Sequence, residues 1–186
     1  LCRRAACQRP KMMERIKMRE TEQLRDGGRT RGQEALGLIV FLTICLAVSA
    51  IGGLATVSSV GDWYVTLNKP TFNPPSWVFA PVWTTLYVLM AVAGWRVWRS
   101  AGSAVRRWPL IVFGAQLGLN LLWSLLFFGL QQIGLALFDI LLLLVAISVN
   151  TVLFWRIDRT AGWFFVPYVL WVAFASVLNL SLWLLN

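Results

Sequence analysis

Phe79, Trp83 and Tyr87 stand four residues apart, so on a helix they share one face. Gln116, Asn120 and Trp123 repeat the pattern at spacings of four and three. Trp171, Ala175, Leu178 and Asn179 make a third stripe, of aromatic, small and amide side chains. Leu, Val and Ile suffice for a wall that faces lipid, whereas an indole N–H or phenol O–H at mid-depth needs a partner. Amides at such depths serve either as interhelical glue, worth about 0.6–2 kcal/mol, or as ligand contacts; pattern alone leaves both open. Asp139 is an acid inside an apolar stretch, where a charge is costly and usually faces a cavity or a partner. The alternative is a protonated or amide-paired structural carboxyl. Converging stripes of this kind would line a cavity suited to a flat, largely apolar molecule with a polar edge. Ring faces stack on its plane and amides orient its edge.

Other chemistries are poorly supplied. The chain has no histidine, which removes the commonest axial ligand of haem, the commonest ligand of catalytic zinc and the usual general base. Cys2, Cys7 and Cys45 show no metal-ligand spacing, so neither a metal site nor a disulfide framework is expected. No phosphate-binding glycine loop, dinucleotide fingerprint or Ser/His/Asp set is present. The side chains point to a binding pocket and name no reaction.

The elements that must position these residues follow from hydropathy. Of the 186 residues 58% are hydrophobic and only 13% charged, where a soluble domain carries roughly a quarter charged. Ala35 to Gly61, Pro70 to Trp95, Trp108 to Phe138 and Thr160 to Asn186 contain no charged side chain. Crossing about 30 Å of hydrocarbon takes about 20 helical residues. Barrel strands would alternate polar and apolar residues, and runs such as Ile140-Leu141-Leu142-Leu143-Leu144-Val145 do not. We therefore expect an all-α membrane protein, a five-helix transmembrane bundle, with spans near 36–58, 79–97, 109–129, 134–154 and 163–185. Residues 1–34 read as a polar, basic and flexible N-terminal extension, with a short helix near Met12 to Leu24 and contact with anionic lipid as options. Residues 35–186 form the transmembrane domain.

The net charge of +9 does not indicate nucleic acid, because the excess lies in the arm and in two connections, 96–107 and 156–159. The connections 61–77 and 130–133 carry only Asp62 and Lys69. Basic and non-basic connections alternate, as five spans with a cytoplasmic N-terminus require. Trp63, Trp77 and Trp183 would mark one interface, and Trp95, Trp98, Trp108, Trp155 and Trp163 the other. Gly114-x-x-x-Gly118 permits close helix contact; packing inside the bundle is the expected use, a homodimer the alternative. Between the first two spans, Pro70, Pro74 and Pro75 fix φ and exclude regular helix. With Trp63 and Lys69 they make either a stiff lid over a site or an interfacial anchor.

The run Trp63-Tyr64, Leu67-Asn68-Lys69-Pro70, Pro74-Pro75-x-Trp77 and Pro81-Val82-Trp83-Thr84-x-Leu86-Tyr87 resembles the translocator protein (TspO/MBR) family. Members are also called tryptophan-rich sensory proteins or peripheral-type benzodiazepine receptors. The likeness continues through Gln116-Leu117-x-Leu119-Asn120-x-x-Trp123-Ser124 and Ala136-Leu137-x-Asp139 to Pro167-Tyr168-x-x-Trp171-Val172-x-Phe174-Ala175-x-x-Leu178-Asn179. It spans the chain from about residue 36 onward. The resemblance implies a five-helix bundle, often dimeric, that binds porphyrins such as protoporphyrin IX and requires no cofactor. It places the pocket among Phe79, Ala80, Trp83, Asn120, Trp123, Asp139, Trp171, Ala175 and Leu178, capped by the proline-rich loop. The cholesterol pattern of animal members is broken, since Leu180 and Leu184 stand where a Tyr and a basic residue would be. A tetrapyrrole is therefore the expected ligand. The short C-terminus resembles bacterial more than animal members and the extended N-terminus resembles plant members, with a bacterial membrane the expected setting ahead of an organellar one. Sensing, sequestration or transport is the leading function. Light- and oxygen-dependent porphyrin breakdown and a regulatory scaffold are the alternatives.

Overall fold

The computed structural model describes residues 30–186. The expectations for the arm, including a helix near Met12 to Leu24, lie outside the described residues. Two units divide the chain, 1–35 and 36–186. Thr30, in the first, opens helix α1 (Arg31–Val60) through a reciprocal cap, and α1 from Leu36 onward belongs to the second. Gln33 N donates to Thr30 Oγ1 and Thr30 N donates to Gln33 Oε1, at 3.3 and 3.1 Å.

In the second unit, a four-residue helix α2 (Trp63–Thr66) follows, then α3 (Ser76–Ser100) and α4 (Ser103–Ser124), which continues as a π turn over Leu125–Gly129. Helices α5 (Ile133–Ile157) and α6 (Arg159–Leu185) complete the bundle. Among the described residues five helices are long and apolar enough to cross a membrane, as expected from the charge-free stretches. Each runs two to six residues beyond one or both expected ends, because the polar first and last turns are helical too. Pro81, Pro109 and Pro167 sit inside α3, α4 and α6. Lipid leaves backbone groups no solvent partner, which keeps such helices intact around a proline.

Helix α6 packs most extensively on α5, and α3 and α4 close the core around Met90, Phe113, Ile147, Phe154, Phe165 and Tyr168. Helix α1 joins this core through Cys45, which is fully buried in it, and through Phe41, Leu42 and Val48 packed against it. A Cβ added at Gly94 would lie 2.8 Å from the Phe41 ring, and one at Gly52 3.1 Å from Ser124 Oγ. Ser59 Oγ donates to Phe128 O at 2.6 Å near the non-basic end. At the basic end Asp158 accepts from Thr160 N and Ala161 N, capping α6, and pairs with Arg96 at 2.9 Å. One carboxylate thus starts the last helix and ties it to α3.

One expectation is corrected. Gly114 and Gly118 face outward with open space beside them, so this pair does not serve packing inside the bundle. Helix α4 turns Phe113, Gln116, Leu117 and Asn120 inward instead. Trp63 is half-buried, and its ring meets Phe127 edge-on at 5.6 Å. Trp77, Trp183, Trp108 and Trp163 remain exposed, consistent with aromatic belts at the two ends.

Glycine is needed where helices α5 and α6 meet. A Cβ at Gly162 would lie 2.7 Å from the Trp155 ring and 3.0 Å from its backbone Cα. Gly162→Ala should therefore lower unfolding stability in detergent by about 1–3 kcal/mol, while Gly114→Ala leaves it unchanged or slightly raised. Thermal unfolding of both variants checks the contrast.

Candidate functional site

A cavity of about 480 Å³ lies between α1 and the helices α3, α4 and α6. Phe79, Ala80, Trp83 and Tyr87 of α3, Asn120 and Trp123 of α4, and Trp171, Ala175, Leu178 and Asn179 of α6 all line it. The three stripes converge, as helical spacing requires of residues at i, i+3, i+4 and i+7. Trp83 and Trp123 stack with centroids 6.4 Å apart, Trp123 stacks on Phe127 at 5.3 Å, and Phe79 meets Trp171 edge-on at 6.0 Å. Such ring pairs contribute about 0.5–1.5 kcal/mol beyond their burial and hold the walls in place.

The polar groups divide into paired and unpaired. Tyr87 O–H donates to Asn120 Oδ1 at 2.6 Å, and Asn120 Nδ2 donates to the Tyr168 oxygen at 2.7 Å. Tyr168 O–H then donates to Gln116 Oε1 at 3.0 Å, and Gln116 Nε2 reaches Met90 Sδ at 3.7 Å. This relay runs from the cavity wall into the core. Nearer the non-basic end, Trp123 Nε1 donates to Asn179 Oδ1 and Asn179 Nδ2 to Ile133 O, both at 3.0 Å. Asn120 and Asn179 are therefore glue and wall at once. Gln116 is glue only: it is fully buried and does not line the cavity. Trp171 Nε1 is a buried donor with no acceptor among the described residues.

Asp139 is buried in α5 and is not part of the cavity lining. Its Oδ2 has no hydrogen-bond partner among the described residues. The structure thus brings ten of the twelve expected pocket residues to one cavity and sets Gln116 and Asp139 apart from it.

In the proline-rich connection, Trp63, Lys69, Pro70, Pro74 and Pro75 stay outside the lining, whereas Gly61, Tyr64 and Ser76 reach it. Helix α2 precedes the prolines, which hold the backbone from 70 to 75 out of helix. Tyr64 is buried against Phe127 and Phe128 and donates to Asn73 Oδ1 at 2.8 Å. Burial pushes its phenol pKa up, against the opposing effect of Asn73, so it stays a neutral donor. Asn68 N donates to Asn186 Oδ1 at 2.9 Å and Asn186 Nδ2 returns a bond to Asn68 O at 3.1 Å. The connection is fastened to the end of α6.

Tyr64 and the α1 wall, Ser49, Gly52, Gly53, Thr56 and Val57, were not among the expected pocket residues. Their signal is present in the sequence. Small or hydroxylated residues at 49, 52, 53 and 56 form one helical stripe, but α1 is apolar all round and offers no contrast to fix its phase.

A sequence model of the TspO/MBR family matches residues 41–184. The chain belongs to the TspO/MBR family. Tryptophan-rich protein TspO of Chlorobaculum tepidum is 39% identical over 83% of this chain and 98% of its own length. Protein CrtK of Rhodobacter capsulatus is 37% identical over 81% and 95%. The translocator protein of Homo sapiens is 39% identical over 65% of this chain and 73% of its own. Like the five apolar helices, TspO/MBR membership makes this an integral membrane protein.

The relay gives the site its rigidity. Tyr168→Phe removes the acceptor of Asn120 Nδ2 and the donor to Gln116 Oε1, leaving two buried amides underpaired. Stability should fall by about 1–3 kcal/mol, read by thermal unfolding in detergent, whereas Trp183→Phe at the exposed end should change it little.

Proposed function

We propose that this TspO/MBR protein binds a flat, largely apolar tetrapyrrole of the protoporphyrin IX kind within the bilayer, for sensing, sequestration or transport. The observation that carries the reading is the cavity itself. Indole, phenol and phenyl rings from three helices and the α1–α3 connection surround it, and no charged side chain among the described residues lines it. Its size falls in the range of small-molecule sites, about 300–1,000 Å³. Ring faces offer stacking surfaces, and Trp171 Nε1 supplies an unspent donor for an acceptor on the ligand edge. In this reading the basic connections face the cytoplasm and the proline-rich connection closes the opposite mouth.

A specific observation favours a second reading, light- and oxygen-dependent breakdown of the bound pigment. Trp83 and Trp171 both line the cavity, and Trp83 stacks on Trp123, so an excited ring would have indole electron donors at contact distance. That chemistry needs no acid–base residue.

Protoporphyrin IX added to purified protein should quench tryptophan fluorescence saturably. Ala175 is buried in the wall, and Ala175→Leu should weaken binding at least about tenfold while thermal unfolding stays cooperative. Unaltered affinity in that variant would remove the ligand from this cavity. Illumination in air separates the two readings: a stable porphyrin band supports binding alone. Loss of the band that slows in Trp83→Phe or Trp171→Phe supports breakdown.

A further inference from the structure

A cavity without charge constrains where a charged ligand can put its charges. Carboxylates carried into such a chamber would be unpaired, at a cost stacking does not offset, so they must point to its mouth. The non-basic end offers two charged side chains, Asp62 and Lys69. Asp62 is exposed and makes no cap bond to α2. Lys69 is half-buried, and its Nζ lies 4.9 Å from the centroid of the Tyr64 ring, a residue of the cavity wall.

The ammonium is held in place. It donates to Val65 O and Leu67 O, at 3.2 Å each. An ammonium carries three N–H groups, so one donor remains beyond these two carbonyls. The residue before it, Asn68, is anchored to Asn186 by two hydrogen bonds and to Leu185 O through its own side chain. A donor fixed before the ligand arrives loses little freedom on binding.

We propose that Lys69 is the anionic-edge subsite of the cavity, taking a carboxylate of a ligand whose flat body lies among the rings. This rests on the tetrapyrrole reading and narrows it to carboxylate-bearing tetrapyrroles. The lysine acts as a specificity determinant, with its charge supplied at the mouth so that the chamber stays neutral.

The test compares protoporphyrin IX, a dicarboxylate, with its uncharged dimethyl ester. Binding is followed by tryptophan quenching in nanodiscs of zwitterionic lipid containing the full chain. Lys69→Gln should weaken the acid about tenfold, as expected for loss of one charge-assisted hydrogen bond, and the ester less than about twofold. Lys69→Arg should keep most of the preference for the acid. Added salt should erode acid binding to the wild type and leave the ester unaffected. Equal weakening of both ligands would make Lys69 a loop support and overturn the proposal, as would acid binding that Lys69→Gln leaves intact. Ester bound by every variant with no preference for the acid in the wild type overturns the subsite while the cavity reading stands. Failure of both ligands to quench the wild type overturns the two together.

Discussion

Hydrocarbon accepts no hydrogen bonds, so a polar side chain carried into the bilayer is costly unless it is paired, and Tyr87, Gln116, Asn120, Trp123, Tyr168 and Asn179 find partners on other helices. That requirement builds the molecule around Asn120. It accepts from Tyr87 of α3 and donates to Tyr168 of α6, so three helices share one amide. Gln116 extends the relay by one turn, and Trp123 with Asn179 repeats it toward the other end. The apolar contacts around these bonds would tolerate sliding, because lipid tails solvate Leu and Ile about as well as a neighbouring helix does. The paired amides and phenols would not. They set the register of α3, α4 and α6, and with it the mutual positions of Trp83, Trp123 and Trp171.

The same requirement explains the cavity's place. Helix α1 contributes Ser49, Gly52, Thr56 and Val57 to the wall, but Thr56 spends its hydroxyl on the backbone of its own helix, donating to Gly52 O. An interhelical hydrogen bond from α1, Ser59 to Phe128 O, lies near its end. The chamber is the space left between the small residues of α1 and three helices locked by buried amides. Such a chamber needs no metal and no catalytic acid to hold a flat molecule; it needs rigid rings and an edge partner.

Much of this was legible in the sequence for a physical reason. Stretches free of charge over more than twenty residues admit one structure in lipid, and Trp, Tyr and Asn at helical spacing are costly enough in hydrocarbon that they imply convergence. Nine of the ten stripe residues did converge on the cavity. The sequence was silent where side chains carry no such cost. Gly114 and Gly118 look alike whether they face a helix or lipid, and they face outward. The α1 wall is made of small residues on an evenly apolar helix. Gln116 and Asp139 are polar and buried yet lie behind the wall, since spacing fixes a helical face only to within a residue or so. Asn150, fully buried with neither side-chain polar atom paired among the described residues, marks a polar core position that no stripe announced.

A structure of the chain determined at side-chain resolution after incubation with protoporphyrin IX would address the central claim directly. Planar density between α1 and the Trp83, Trp123 and Trp171 rings, with the Tyr87–Asn120–Tyr168 relay intact behind it, is the result this account requires. A chamber closed by its own side chains, with the tetrapyrrole lying only on the outer surface of the bundle, would contradict it.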